Sequence, residues 1–146
     1  MRRLMPAALL LVALTAVLHA APEESHESPQ AFAQRLAQAH NAGDLAAIAA
    51  MYSADAREIM GPMSLSGRDN IRMQYQRIHG AMVEQDAEPE TRITVEESWV
   101  DGDTAMLWGD FVVTDDAMGE LAALRFVFRL KRDARSWKID RSWFAV

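Results

Sequence analysis

Apolar residues recur every three or four positions along two segments of the chain, as they do on one face of a helix. The first stripe consists of Phe32, Leu36 and Ala39. It follows Ser28 and Pro29, and a serine cap with proline at the first helical position is a common start of a helix. The second stripe consists of Ile71, Tyr75, Ile78 and Met82. The stripes predict two amphipathic helices, the first of which is expected to face a sheet.

The sequence Asn-Ala-Gly-Asp at 41–44 separates the first helix from a shorter one that follows it. Gly43 can adopt the left-handed conformation that ends a helix, and Asp44 can accept the free amide hydrogens of the next one. We expect this short helix to end near Tyr52. Residues 55–60 then alternate between apolar and polar, which predicts a strand.

From residue 91 onward the apolar positions alternate, which is the period of a strand. Asp101-Gly102 is predicted to be the centre of a tight hairpin turn. Two further long strands are predicted over residues 121–130 and 137–146. Residues 61–67 begin with a Gly-Pro break and are predicted to form a loop before the third helix. Helices that precede strands indicate an α+β domain.

The predicted turn also assigns the two faces of the sheet. With Asp101 and Gly102 at its centre, Trp99 would lie opposite Thr104 and share a face with Trp108. We expect this face to be the concave one. Its predicted members are Ile93, Val95, Trp99, Met106, Trp108, Leu124, Phe126, Phe128, Trp137, Ile139, Arg141 and Trp143. The opposite face would carry Leu107, Phe111 and Val113, near Val127 and Phe144.

The sequences NAGDLAAIAAMYSADA and SGRDNI, which begin at Asn41 and Ser66, resemble the nuclear-transport-factor-2-like superfamily. They are closest to its SnoaL-like and ketosteroid-isomerase-like branch. The resemblance covers residues 30–146 and implies an α+β cone, in which a curved antiparallel sheet wraps around three N-terminal helices. Related cones pair through their convex face, so the resemblance also implies a homodimer. The same fold serves isomerases, cyclases, dehydratases, epoxide hydrolases and non-catalytic modules, so it does not by itself indicate a reaction.

The resemblance implies that one known activity is missing. Ketosteroid isomerases place a tyrosine, a catalytic aspartate and a late-strand acid at positions that hold Leu36, Met60 and Phe126 in this chain. All of these are apolar. Neither the base that moves a proton nor the donors that stabilise an oxyanion are present there, which argues against ketosteroid isomerase activity in its known form.

Glu58 is the first candidate catalytic residue. A period of two places it on the same face as Met60, and burial in an apolar pocket would raise the pKa of its carboxyl group towards the range of a general base. Alternatively, Glu58 lies at the solvated rim of the cone. Asp110 is the second candidate, with Arg141 as its expected partner. This pair could orient a substrate or a water molecule, as Asp and Arg do in epoxide hydrolases of the superfamily, or it could be a structural ion pair.

An apolar pocket with a few polar groups is typical of a site for a small molecule. The expected ligand-binding residues are Met60, Tyr75, Trp99, Met106, Trp108 and Phe126. Two classes of function remain open. The protein could bind an apolar small molecule without catalysis. Alternatively, it could be a cofactor-free isomerase, cyclase, dehydratase or hydrolase that uses Glu58 or Asp110 as a base.

The first residues predict export. Two arginines at positions 2 and 3, an uncharged run over residues 4–18 and small residues up to position 21 are typical of a secretory signal, predicted here over residues 1–21. The alternative, a membrane span, needs about 20 apolar residues. Residues 22–29 are polar and predict a flexible tether before a single domain over 30–146. We therefore expect a periplasmic or secreted protein that is not membrane-bound after cleavage.

Composition argues against several other classes. The chain has 15 basic and 21 acidic residues, and loss of Arg2 and Arg3 with the leader leaves 13 against 21, a net charge of −8. Such a chain is a poor partner for nucleic acid. It has no cysteine, hence no disulfide or thiolate metal site. Only His40 and His79 lie in the predicted domain. Neither a metal site nor a cofactor-binding motif is predicted.

Overall fold

A computed structural model describes residues 26–146 of the chain. The predicted signal peptide and the first residues of the predicted tether lie outside the described residues. The helices are α1 (Pro29–Asn41), α2 (Leu45–Ala50) and α3 (Arg68–Glu84). The strands are β1 (Tyr52–Met60), β2 (Met63–Ser66), β3 (Glu90–Asp101), β4 (Thr104–Asp115), β5 (Gly119–Asp133) and β6 (Ser136–Ala145). No helix within residues 26–146 has the length and apolar character needed to cross a bilayer.

The helix boundaries agree with the predicted caps. The side chain of Ser28 accepts a hydrogen bond from the amide of Ala31 (3.1 Å), and that of Asp44 accepts one from the amide of Ala47 (2.9 Å). Gly43, between α1 and α2, has a φ of +62°, in the left-handed region that favours glycine. Local sequence therefore determines where the first two helices end and begin.

Glu27 belongs to the predicted tether but contacts the domain. Its carboxylate pairs with Arg35 of α1, with 2.8 Å between Nε and Oε1. Its backbone carbonyl accepts a hydrogen bond from the indole Nε1 of Trp137 (2.8 Å) in β6. The polar segment is thus attached to the first helix and the last strand from Glu27 onward, and is not free up to residue 29.

The strands form one curved sheet in the order β2-β1-β6-β5-β4-β3. The predicted α+β cone is confirmed, with two corrections. β1 pairs with β6 in parallel, whereas the sheet was predicted to be antiparallel throughout. The predicted loop at 61–67 contains β2, which forms a tight hairpin with β1 in which Met60 pairs with Met63. A strand this short has too few positions for its alternation to be visible.

The predicted register of the β3–β4 hairpin is wrong. Asp101 pairs with Thr104, so Gly102 and Asp103 occupy the turn, and Trp99 lies opposite Met106. An irregularity between Val95 and Glu97 then shifts the register by one residue. Because successive strand residues point to opposite faces, a shift of one residue reverses the face assignment.

The consequence is that the inner face of β4 carries Ala105, Leu107, Phe111 and Val113, all of them in the core. Trp99, Met106 and Trp108 lie on the outer face, and Trp99 is 53% exposed. The residues predicted for the convex face, Leu107, Phe111, Val113 and Phe144, are therefore core residues. On β5 the prediction is right, because Phe126 and Phe128 are buried and Leu124 packs against the core.

A second irregularity divides β6. Trp137 and Ile139 are buried in the core as predicted, but the pairing of β5 with β6 shifts between Arg129 and Leu130. Beyond this point Ser142 and Phe144 are the buried residues. Arg141 and Trp143, predicted to face inwards, consequently lie on the outer face.

Candidate functional site

A cavity of about 240 Å³ lies between α3 and the inner face of the sheet. Its walls are mostly apolar. The main apolar lining residues are Met60, Ile78, Met82, Phe111, Leu124 and Phe144. The lining residues with polar side-chain atoms are His40, Tyr75, His79 and Thr91. This is the form that small-molecule sites usually have.

Only part of the predicted ligand set lines this cavity. Met60 and Tyr75 do, whereas Phe126 is buried in the core without lining it. Trp99, Met106 and Trp108 lie on the opposite face of the sheet. They were predicted to face inwards with Ile93 and Val95 because the prediction did not include the register shift in β3. His40, which the prediction omitted, follows Leu36 by one helical turn on the same stripe of α1. Helical spacing was thus the signal that could have identified it.

The end of α1 is held against β3, and this holds His40 at the cavity. The side-chain amide of Asn41 donates to the carbonyl of Thr91 (3.0 Å), and the amide of Thr91 donates to the side-chain oxygen of Asn41 (2.6 Å). The ring of His40 makes edge contacts with Tyr75 and Phe111, with centroids 5.1 and 5.3 Å apart.

His40 and His79 form a pair of rings with centroids 6.2 Å apart. Burial, followed by the proximity of His79, lowers the pKa of His40 to about 4, so its imidazole is neutral at pH 7. Burial also lowers the pKa of His79, which is half-buried. The Nε2 atom of His40 is buried and contacts no hydrogen-bond partner in the described part of the chain.

Glu58 is buried behind the cavity and not at its rim, with 1% of its surface exposed. Its Oε2 atom accepts hydrogen bonds from the hydroxyl groups of Tyr52 (2.9 Å), Tyr75 (3.1 Å) and Ser142 (3.2 Å). Its Oε1 atom has no partner among residues 26–146. Glu58 does not itself line the cavity. Tyr75 does, and therefore connects Glu58 with the cavity.

The pKa of Glu58 is raised, in the direction expected if this residue is buried. Burial is the main cause, and the hydrogen bonds from Tyr52, Tyr75 and Ser142 partly oppose it. Burial, with the adjacent Glu58, also raises the pKa of both tyrosines well above 10. The tyrosines consequently keep their protons and act as hydrogen-bond donors at neutral pH.

The predicted pair of Asp110 and Arg141 does not form. Asp110 lies on the outer face, where Arg125 bridges it (2.8 Å) to Glu96 (2.5 Å). Arg141 instead pairs with the carboxylate of its neighbour Asp140 (3.1 Å). Asp110 and Arg141 both lie on the outer face of the sheet. They were predicted to face inwards because the prediction did not include the irregularities in β3 and β6. The structure therefore brings neither Asp110 nor Arg141 to the cavity.

A model of the SnoaL-like domain matches residues 33–139 of the chain. The chain belongs to this family. No curated protein matches the sequence. Solved structures with the same fold include a protein of unknown function from Mycobacterium tuberculosis, with 22% identity over 80% of this chain and 68% of that chain, at a TM-score of 0.68. An NTF-2-like protein of unknown function from Shewanella oneidensis has 17% identity over 79% and 93% of the two chains, also at 0.68.

A third structure, from Novosphingobium aromaticivorans, is described as an NTF2-like protein with a cystatin-like fold. It is 19% identical over 79% of this chain and 77% of that chain, at a TM-score of 0.67. Of the three residues that the resemblance places at the polar positions of ketosteroid isomerases, Leu36 and Phe126 are buried in the core and Met60 lines the cavity. The described part of this SnoaL-like domain has no cluster of three or more His, Asp or Glu side chains suited to a metal ion.

Proposed function

We propose that this SnoaL-like domain binds a small, largely apolar molecule in the cavity between α3 and the sheet. The observation that supports the proposal is the cavity itself, about 240 Å³ with mostly apolar walls. An engineered protein cavity of about 150 Å³ already binds benzene. The proposed site therefore has room for a molecule larger than a single ring.

The test uses Ala122, a half-buried residue of β5 that lines the cavity. In Ala122→Trp the indole would occupy the cavity, so we expect binding of the fluorescent apolar probe N-phenyl-1-naphthylamine to be lost. Ala123→Trp is the matched control, because Ala123 is the next residue of β5 and is exposed on the other face. Absence of binding by the wild type, or equal binding by Ala122→Trp, would contradict the proposal.

Proton-transfer catalysis is the second candidate function, and the position of Tyr75 favours it. Tyr75 lines the cavity and its hydroxyl group lies 3.1 Å from Oε2 of Glu58. A proton could thus pass between a bound molecule and Glu58 through this hydroxyl group. A suitable probe is 2-tetralone in heavy water, an apolar ketone whose α-hydrogens exchange when a base removes them. Faster deuterium uptake with the wild type than with Tyr75→Phe and Glu58→Gln would support catalysis. Equal rates for all three proteins would argue against it.

Export completes the proposal. The signal-like residues 1–21 and the absence of cysteine for lipid attachment support a soluble mature protein in the periplasm or outside the cell. N-terminal sequencing of protein from the native cell should begin near Ala21 or Pro22. An intact Met1 on membrane-bound material would contradict this part.

A further inference from the structure

The apolar cavity adjoins an outer groove at the end of α1. The groove is lined by residues 40–43, His79, Glu88 and Pro89. His40, His79 and Pro89 line both the groove and the cavity. The histidine pair and Pro89 thus form a wall that the two spaces share.

The groove differs from the cavity in charge. Glu88 supplies a carboxylate, and the C-terminal end of α1, which carries a partial negative charge, lies among the residues that line the groove. No Lys or Arg is among the described residues that line it. His40 and His79 add no positive charge at neutral pH, because burial lowers the pKa of each. The groove therefore favours a cation over an anion.

A polar atom at this junction also lacks a partner. Nε2 of His40 is buried and unsatisfied within residues 26–146, and His40 is 7% exposed overall. A buried polar atom without a hydrogen bond is costly, and a donor group on a ligand is one means of satisfying it. A neutral imidazole can accept such a hydrogen bond.

We infer that the bound molecule is an amphipathic amine, whose apolar part fills the cavity and whose ammonium group lies in the outer groove beside Glu88. This inference rests on the proposed function. The cavity would supply affinity through apolar burial, and the groove would select the head group. A ligand of the same shape with a carboxylate in place of the ammonium group would be repelled by Glu88 and by the C-terminal end of α1.

The test compares three probes with the same ring: 1-naphthylmethylamine, 1-methylnaphthalene and 1-naphthaleneacetic acid. Calorimetric titration should give the tightest binding for the amine and the weakest for the acid. An exposed ion pair with Glu88 changes binding by roughly 1.5- to 5-fold, which is the expected gap between the amine and the hydrocarbon. Salt at about 0.15 M limits the Debye length to about 8 Å, so that attraction by the net charge of the whole protein is screened.

Glu88→Gln should bring the affinity of the amine close to that of the hydrocarbon. Glu90→Gln is the matched control, since Glu90 is also exposed, loses the same charge and lines neither space. Equal binding of amine and hydrocarbon by the wild type, tighter binding of the acid, or equal effects of the two variants would overturn the inference and leave the apolar site intact. Absence of binding for every probe would instead contradict the proposed function as well.

Discussion

Glu58 is a carboxylate buried without a cation. Three hydroxyl groups converge on its Oε2 atom, while Oε1 has no partner in the described residues. Sequence alternation left two positions open for Glu58, an apolar pocket that would raise its pKa or the solvated rim, and the structure has it buried with a raised pKa. The alternation did not predict Tyr52 or Tyr75 as partners. Tyr75 reaches Glu58 from α3, and Tyr52 reaches it within β1, where the pairing with β6 is irregular between Tyr52 and Arg57. A local pattern describes neither contact.

Replacing Glu58 by glutamine should change how stability depends on pH. In the folded protein the pKa of Glu58 is raised above its ordinary value of 4.5, so folding favours the protonated form. The wild type therefore loses stability as the pH rises from 4.5 through the folded-state pKa, and Glu58→Gln does not. We expect the free energy of unfolding of the variant, relative to that of the wild type, to increase over this interval and then remain constant.

Urea denaturation at a series of pH values from 4 to 8 measures this difference. Glu97→Gln is the control, because it makes the same substitution at an exposed position of β3. A difference for Glu58→Gln that changes with pH no more than that of the control would contradict the prediction, and would also weaken the case for Glu58 as a base.

The β3–β4 hairpin shows where prediction fails at the level of elements. Helix caps and stripes are local signals, and the structure confirms them for α1 and α2. The misplaced turn moves each pairing by two positions and leaves the faces unchanged, whereas the later register shift between Val95 and Glu97 inverts the faces beyond it. Gly109, in the middle of β4, was a signal of this irregularity. A glycine inside a strand often marks a bulge or a close approach of another backbone.

Gly109 allows the backbone of β3 to approach β4 closely. A Cβ atom added to it would lie 1.8 Å from the carbonyl oxygen of Thr94, so a side chain cannot be accommodated without moving β3. We expect Gly109→Ala to lower the free energy of unfolding by more than about 2 kcal/mol, as is typical of steric overlap in a packed region. Chemical denaturation gives the value directly.

Gly80→Ala provides the comparison of opposite sign. Gly80 lies in α3, and a Cβ atom there would meet nothing within 4 Å. Alanine in an exposed helix should stabilise the protein by about 0.5–1 kcal/mol. If both substitutions changed the free energy of unfolding equally, the close approach of β3 would not be what excludes a side chain at Gly109.

At the scale of the whole molecule, the order of elements was predictable and the cavity was not. Element order indicated an α+β domain, although the segment of β2 was predicted to be a loop, and the resemblance to the superfamily implied the cone. The cavity draws its lining from α1, α3 and most strands of the sheet. An error in one strand changes its contribution, which is why Trp108 was expected in the cavity and Phe111 outside it.

The inverted face of β4 also changes the residues expected at a dimer interface. The dimer itself remains a proposal. On the outer face, Trp108 pairs with Val127 and Val127 pairs with Trp143, so these side chains form a row across β4, β5 and β6. We name this set the tryptophan row. All three side chains are half-buried in the single chain. An apolar patch on a sheet surface commonly marks a protein interface.

We expect two copies to pair through the tryptophan row. Val127 lies at its centre, so Val127→Glu would place a carboxylate in the middle of the interface, where burial without a cation is costly. Light scattering should give the wild type a mass twice that of the single chain at micromolar concentration, and Val127→Glu the mass of one chain. Val83→Glu introduces the same charge at an apolar residue of α3 that is 73% exposed and distant from the row in the fold, and should remain dimeric. A wild-type protein with the mass of a single chain would exclude pairing through this face, whereas a dimer that persists in Val127→Glu would place the interface elsewhere.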